Sequence, residues 1–104
     1  MKLLIDTNVV LDVLLKREPF FSAAADVLNL TQRNDVREYV SASAVTDIYY
    51  IAERQMKDHA AVKDLLKRLL MIVSVAAVSE QEIQNALKLD WADFEDSVQY
   101  SVAF

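Results

Sequence analysis

No glycine occurs anywhere in the 104 residues, where average usage would place about seven. The absence removes every design that needs backbone only glycine permits. A phosphate-cradling P-loop, a dinucleotide-binding fingerprint and a nucleophile elbow are all excluded. The chain also has no cysteine and a single histidine. Thiolate zinc sites, disulfides, thiol nucleophiles and paired-histidine zinc helices therefore go as well. Sixteen acids, a set of hydroxyls and eleven bases remain to carry any chemistry.

The length suits one domain with one core, and a hydrophobic content of 54% is ample to build it. We read residues 1–104 as that single domain, with no internal repeat, low-complexity segment or linker. The longest nearly apolar run, Leu69 to Val78, has ten residues, too few to span a bilayer. Lys2 is followed by only three aliphatic residues before Asp6, which is not a secretory leader. The expected setting is the cytoplasm, without a membrane. The net charge of -5 is unevenly placed: residues 1–78 hold ten acids and ten bases, whereas residues 79–104 hold six acids against Lys88. An acidic total argues against avid backbone binding to nucleic acid, but not against a nucleic-acid enzyme whose carboxylates work through a divalent cation.

Three apolar segments alternate with helical periodicities. Lys2 to Ile5 reads as a short buried strand, and Asp6, Thr7 and Asn8 offer helix caps, the last two the better placed. Val9, Val10, Val13 and Leu14 then mark a helix to about Arg17, broken by Glu18-Pro19. Pro19 opens a second helix, ending near Asn34-Asp35. Glu38 to Ala42 reads as a second strand, with Ser43 capping a third helix and Asp58 a fourth. Met71 to Val78 is a β-branched run and the third strand. Ser79 and Glu82 have capping-box spacing and open a fifth helix; Asp93 opens a sixth. Strands alternating with helices, and no hairpin signals, predict an α/β fold with a parallel sheet.

Ligands of parallel α/β sheets bind outside the carboxyl ends of the strands, where Asp6 falls. It serves there either as a helix cap or as a ligating carboxylate. Asp90, Asp93, Glu95 and Asp96 place four acids in seven residues without a base. The helix dipole accounts for one or two of them, whereas Asp96 shares its stretch with Phe94, Val98 and Val102, at spacings that suggest burial. Asp47 lies inside a helix between Val45 and Ile48, where Asp is a poor fit; solvation or pairing with Arg54 or Lys57 would explain it. Together these acids are the materials of an oxygen-ligand site for Mg²⁺ or Mn²⁺.

Three blocks carry a family resemblance: Leu3-Leu4-Ile5-Asp6-Thr7-Asn8-Val9, Ser41-Ala42-Ser43-Ala44-Val45-Thr46-Asp47-Ile48-Tyr49-Tyr50, and Asp93-Phe94-Glu95-Asp96-Ser97-Val98-Gln99. In order and spacing the set resembles PIN domains, the group that includes VapC-type toxins of bacterial toxin–antitoxin pairs. The resemblance implies a three-layer α/β/α sandwich with a short central parallel sheet. It implies a metal-dependent endoribonuclease that cleaves single-stranded RNA with a metal-activated water, and a cognate antitoxin as partner. Asp6, Asp47 and Asp96 would be the catalytic carboxylates on Mg²⁺ or Mn²⁺, Asp93 an accessory ligand, and Thr7 or Asn8 would orient Asp6 or the phosphate. The second acid of the family is more often Glu, so Asp47 reaches less far.

PIN domains continue past the point matching Phe104 with two further strands and another acid. Of a strand order 3-2-1-4-5 this chain has 3-2-1, so it reads as C-terminally incomplete, with the Asp6 strand at an edge. Long apolar edges associate, and a homo-oligomer is expected to cover this one. The alternative to the nuclease is an inactive, truncated, PIN-derived binding or dimerisation module. Among the other residues, Phe20, Phe21, Leu14 and Leu15 read as core, although related toxins bind antitoxin peptides across their first helices. Trp91 reads as a core plug and His59 as a surface residue.

Overall fold

The computed structural model describes residues 1–89 together with Trp91, Phe94, Ser97 and Val98. Three strands, β1 (Lys2–Leu4), β2 (Arg37–Ser41) and β3 (Ser74–Ala76), form one parallel sheet in the order β1-β2-β3. Helices α1 (Thr7–Leu14) and α2 (Phe21–Asn29) connect β1 to β2, and α3 (Ala42–Met56) and α4 (His59–Leu69) connect β2 to β3. Helix α5 (Glu80–Lys88) follows. This is the expected α/β architecture, and among the described residues β1 is an edge strand. Leu4 lies opposite Tyr39, and Tyr39 opposite Ser74.

The core is assembled by helical spacing. Val10 and Leu11 of α1, Ala44, Ile48 and Ala52 of α3, and Val62 and Leu69 of α4 are buried with Ile5 and Val40 from the sheet. Burying a side chain the size of Leu11 or Ile48 contributes about 1.5–3 kcal/mol. Ala86 of α5 and Val98 are also buried, outside that cluster.

Helix starts are set by local hydrogen bonds. Asp58 accepts from the Ala61 amide at 3.1 Å, as expected. The Ser79 amide donates to Glu82 Oε2 at 3.1 Å, and the Ser79 hydroxyl also bonds Glu82. The cap of α3 is Ser41 rather than Ser43. Ser41 keeps extended backbone at the end of β2 and its hydroxyl accepts from the Ala44 amide at 3.1 Å. Ser43 is thereby drawn into the first turn. The sole described cap of α1 is Asp6 itself, not Thr7 or Asn8.

Several boundaries differ from the sequence reading. α1 stops at Leu14 instead of Arg17, because Lys16 takes left-handed backbone (φ 51°) and turns the chain out of the helix. Lys57 does the same after α3 (φ 53°, ψ 38°). Both occupy the kind of position that glycine usually fills. α2 starts at Phe21, two residues past Pro19, and continues into a 3₁₀ turn over Leu30–Gln32. The β-branched run from Met71 yields only three strand residues. Leu70, Met71, Ile72 and Val73 are bonded back to Leu66, Arg68 and Leu69 as the turn leaving α4. Met71 is 83% exposed as a result. Phe20 and Trp91, expected in the core, are 60% and 47% exposed. Neither can act as a core plug. The helix expected to open at Asp93 lies outside the described residues.

Candidate metal-binding edge

The carboxyl ends of β1 and β2 lie side by side. The Ile5 amide donates to the Tyr39 carbonyl at 2.7 Å, so the sheet register continues to bring Asp6 level with Ser41, the first residue before α3. Each strand hands over to a helix through its own oxygen cap. Asp6 Oδ2 accepts from the Asn8 amide at 3.0 Å, while its backbone carbonyl accepts from the Val9 and Val10 amides. The capping reading of Asp6 is therefore correct. It does not consume the carboxylate: Asp6 is exposed, and Oδ1 has no hydrogen bond among the described residues.

Thr7 adds a second oxygen. Its hydroxyl Oγ1 is buried and has no hydrogen-bond partner among the described residues. A buried polar atom left unpaired costs about 1–3 kcal/mol, so an orphan hydroxyl beside a free carboxylate oxygen points to an absent ligand. Asn8 is exposed, with its backbone amide already used on Asp6.

Asp47 lies on the exposed side of α3, six residues beyond Ser41, or about 9 Å of helical rise. α3 packs against α1. Among the described residues Asp47 makes no ion pair with Arg54 or Lys57 and no hydrogen bond. The pairing explanation for a mid-helix Asp is thus removed, leaving a solvated carboxylate. Asp93 and Asp96 lie outside the described residues. Among those described, no three His, Asp or Glu side chains are gathered into a metal site. Asp6 Oδ1, the Asp47 carboxylate and Thr7 Oγ1 are all hard oxygen donors, and that donor chemistry fits Mg²⁺ or Mn²⁺.

One acid that the sequence reading passed over is the most perturbed group described. Glu38, on the central strand β2, is 2% exposed, and neither carboxylate oxygen has a hydrogen-bond partner of normal geometry. Burial pushes its pKa from 4.5 up to about 7; the Thr31 backbone nearby pulls the other way in part. The signal was present as alternation. Val36, Glu38 and Val40 are two apart, so an extended strand puts all three on one face, and all three are buried.

A separate apolar groove of about 330 Å³ runs between α1, α2 and α4, lined by Val13, Leu14, Phe21, Leu65 and Leu69 with Lys16 and Arg68 beside them. No described helix is long and apolar enough to cross a membrane.

Comparison with known proteins places these features in context. A family model described as a PIN domain matches residues 2–104. Among solved structures, the chain is similar to Mycobacterium tuberculosis VapC20, described as a sarcin–ricin loop cleaving toxin. The TM-score is 0.73 at 18% identity, covering 98% of this chain and 80% of that one. That likeness is one of fold. No curated protein matches.

Proposed function

The chain belongs to the PIN domain family, and from that premise we propose that it is a divalent-metal-dependent endoribonuclease acting as the toxin of a toxin–antitoxin pair. The observation that carries the reading is the edge at Asp6: an exposed carboxylate with one oxygen uncommitted, next to the orphan hydroxyl of Thr7. Asp6 and Asp47, with Asp93 and Asp96 from the acidic segment, would hold Mg²⁺ or Mn²⁺. When bound, such an ion neutralises charge developing on the phosphate and raises the acidity of water.

The protein's own groups supply the positioning. The cap bond from the Asn8 amide fixes the Asp6 carboxylate against rotation, so that Oδ1 faces outward while Oδ2 is held. The amino end of α1 presents its partial positive charge at the same place, which suits a phosphodiester. Thr7 and Asn8 orient Asp6 or the phosphate. Water attacks phosphorus, the bond to the leaving ribose oxygen breaks, and no covalent enzyme intermediate forms. Single-stranded RNA is the proposed substrate and the cytoplasm the proposed setting. A cognate antitoxin segment would seat in the apolar groove between α1, α2 and α4, where Lys16 and Arg68 suit a chain carrying acids beside its apolar anchors.

Purified protein is expected to cleave single-stranded RNA with Mn²⁺ or Mg²⁺, and Asp6→Asn to abolish the cleavage. Equal cleavage by that variant would sink the reading. A second reading, an inactive binding or dimerisation module, is favoured by the edge position of β1 among the described residues. It predicts an oligomer that covers β1 and no thermal shift with Mn²⁺. The nuclease reading requires such a shift, because a ligand bound only by the folded state stabilises it.

A further inference from the structure

The amino end of β2 carries a cleft of about 320 Å³, lined by Thr31, Asn34, Arg37, Glu38, Ile72 and Ser74 among others. Ligand clefts run from about 300 to 1,000 Å³, so this one suits a small ligand. Glu38 forms part of its wall and is 98% buried, with both carboxylate oxygens unpartnered among the described residues. Arg33, the nearest base before it in sequence on this wall, is committed to Asp35 through two bonds of 3.2 and 3.1 Å. Arg37 is exposed and has no ion pair among the described residues. The cleft thus joins an unsatisfied acceptor pair to uncommitted positive charge.

That combination is selective. A purely cationic ligand matches Glu38 but is repelled by Arg37. A bare anion matches Arg37 but is repelled by Glu38. A ligand that satisfies both has a neutral edge with two parallel N–H donors and an anionic group further out. The Watson–Crick edge of guanine presents N1–H and N2–H in that way, and a ribonucleotide supplies the phosphate. Unstacked bases of single-stranded RNA are commonly read on this edge. A carboxylate is acceptor-only and bidentate. Glu38 has no hydrogen bond to break when its three side-chain torsions turn the carboxylate into the cleft.

We propose that this cleft binds a guanosine monophosphate unit, with Glu38 accepting from N1–H and N2–H and Arg37 facing the phosphate. The unit is either a free nucleotide or a guanosine within single-stranded RNA; the recognition chemistry is shared. Binding here goes beyond the nuclease reading and is measured without cleavage, so the two stand or fall separately.

The test is titration calorimetry of the full chain at pH 8, where Glu38 is mostly ionised, with a chelator present. The ligands are guanosine monophosphate, adenosine monophosphate, and two five-nucleotide RNAs differing only in a central guanosine or adenosine. The expected result is a guanine preference of about tenfold or more, as one bidentate base contact confers. Glu38→Gln, checked for folding by circular dichroism, should bring guanine binding down to the adenine level. Arg37→Ala should weaken guanosine monophosphate but not guanosine. Binding of the free nucleotide identifies that source, and binding of the guanosine-containing RNA alone identifies a strand; both support the site. No binding by any of the four, equal guanine and adenine affinities, an unchanged Glu38→Gln variant, or tighter binding of arginine amide would overturn it.

Discussion

Asp6 and Glu38 are carboxylates near opposite ends of two paired strands, and the fold treats them in opposite ways. Asp6 follows β1 at its carboxyl end, where a helix begins, and it receives the Asn8 amide while staying in water. Ser41 at the end of β2 has the same relation to the Ala44 amide. Glu38 sits near the start of β2, where no helix amino terminus presents free N–H groups, and it is buried without a partner. The contrast shows why parallel sheets place their chemistry at carboxyl ends. There the chain's own turns supply donors that hold an acid in place without neutralising it. At the other end an acid must remain protonated or wait for a partner from outside.

The largest effect expected from breaking this contrast is on activity. Asp6→Asn keeps the cap, because Asn caps helices as well as Asp does, so stability should change little while Mn²⁺-dependent RNA cleavage disappears. The loss should exceed the roughly 10–100-fold typical of removing an outer partner of a metal ligand. Asp64→Asn, an exposed acid paired with Arg68 at 3.0 Å, is the control and should cleave normally in the same gel assay.

The next effect is on stability against pH. Glu38 keeps its proton to about pH 7 in the folded state, whereas in the unfolded chain it releases it near 4.5. The folded state therefore binds more protons between those values. Its stability is greatest below pH 4.5 on this account, falls as pH rises toward 7, and is flat above. The fall amounts to about 3 kcal/mol, seen on top of the usual acid losses from other carboxylates. Urea unfolding at pH 5 and pH 8 measures it. Glu38→Gln should remove most of the difference and be the more stable protein at pH 8; a variant with the wild-type slope would assign the dependence elsewhere.

A smaller effect tests the caps at the carboxyl ends. Ser41→Ala leaves the Ala44 amide without its acceptor and should cost about 1 kcal/mol in denaturant unfolding. The smallest concerns Lys57. Its left-handed backbone costs a non-glycine residue roughly 1–2 kcal/mol, so Lys57→Gly should raise stability by up to about 1 kcal/mol after the added freedom of the unfolded chain is counted. A melting temperature that drops would show that the Lys57 side chain contributes more than its backbone costs.

Much of this fold was legible because its signals are local. Asp58 and the Ser79–Glu82 pair announce their helices within four residues, and the alternation of apolar strands with helical periods announces the parallel sheet. Ser41 was harder to choose over Ser43, since both hydroxyls lie near the same turn and the outcome depends on where β2 stops pairing. The run from Met71 to Val78 misled because β-branched residues favour strands, yet its first residues are taken up by the turn out of α4. Of the candidate site, Asp6 and Asp47 could be placed from motif spacing, while Asp93 and Asp96 lie outside the described residues. Glu38 was missed for a physical reason. Its neighbours Val36 and Val40 fix its face, but burial depends on α-helical layers distant in sequence.

Lys16 and Lys57 carry a consequence for how this chain can vary. Both are exposed, and exposed positions ordinarily accept almost any residue. These two do not. A β-branched side chain in left-handed backbone is a severe steric misfit, so Val, Ile and Thr are barred from two fully solvated sites, while Asn and Gly are welcome. In a chain with no glycine, the tightest limits on sequence drift therefore fall partly on its surface, at turns that touch neither the core nor a ligand.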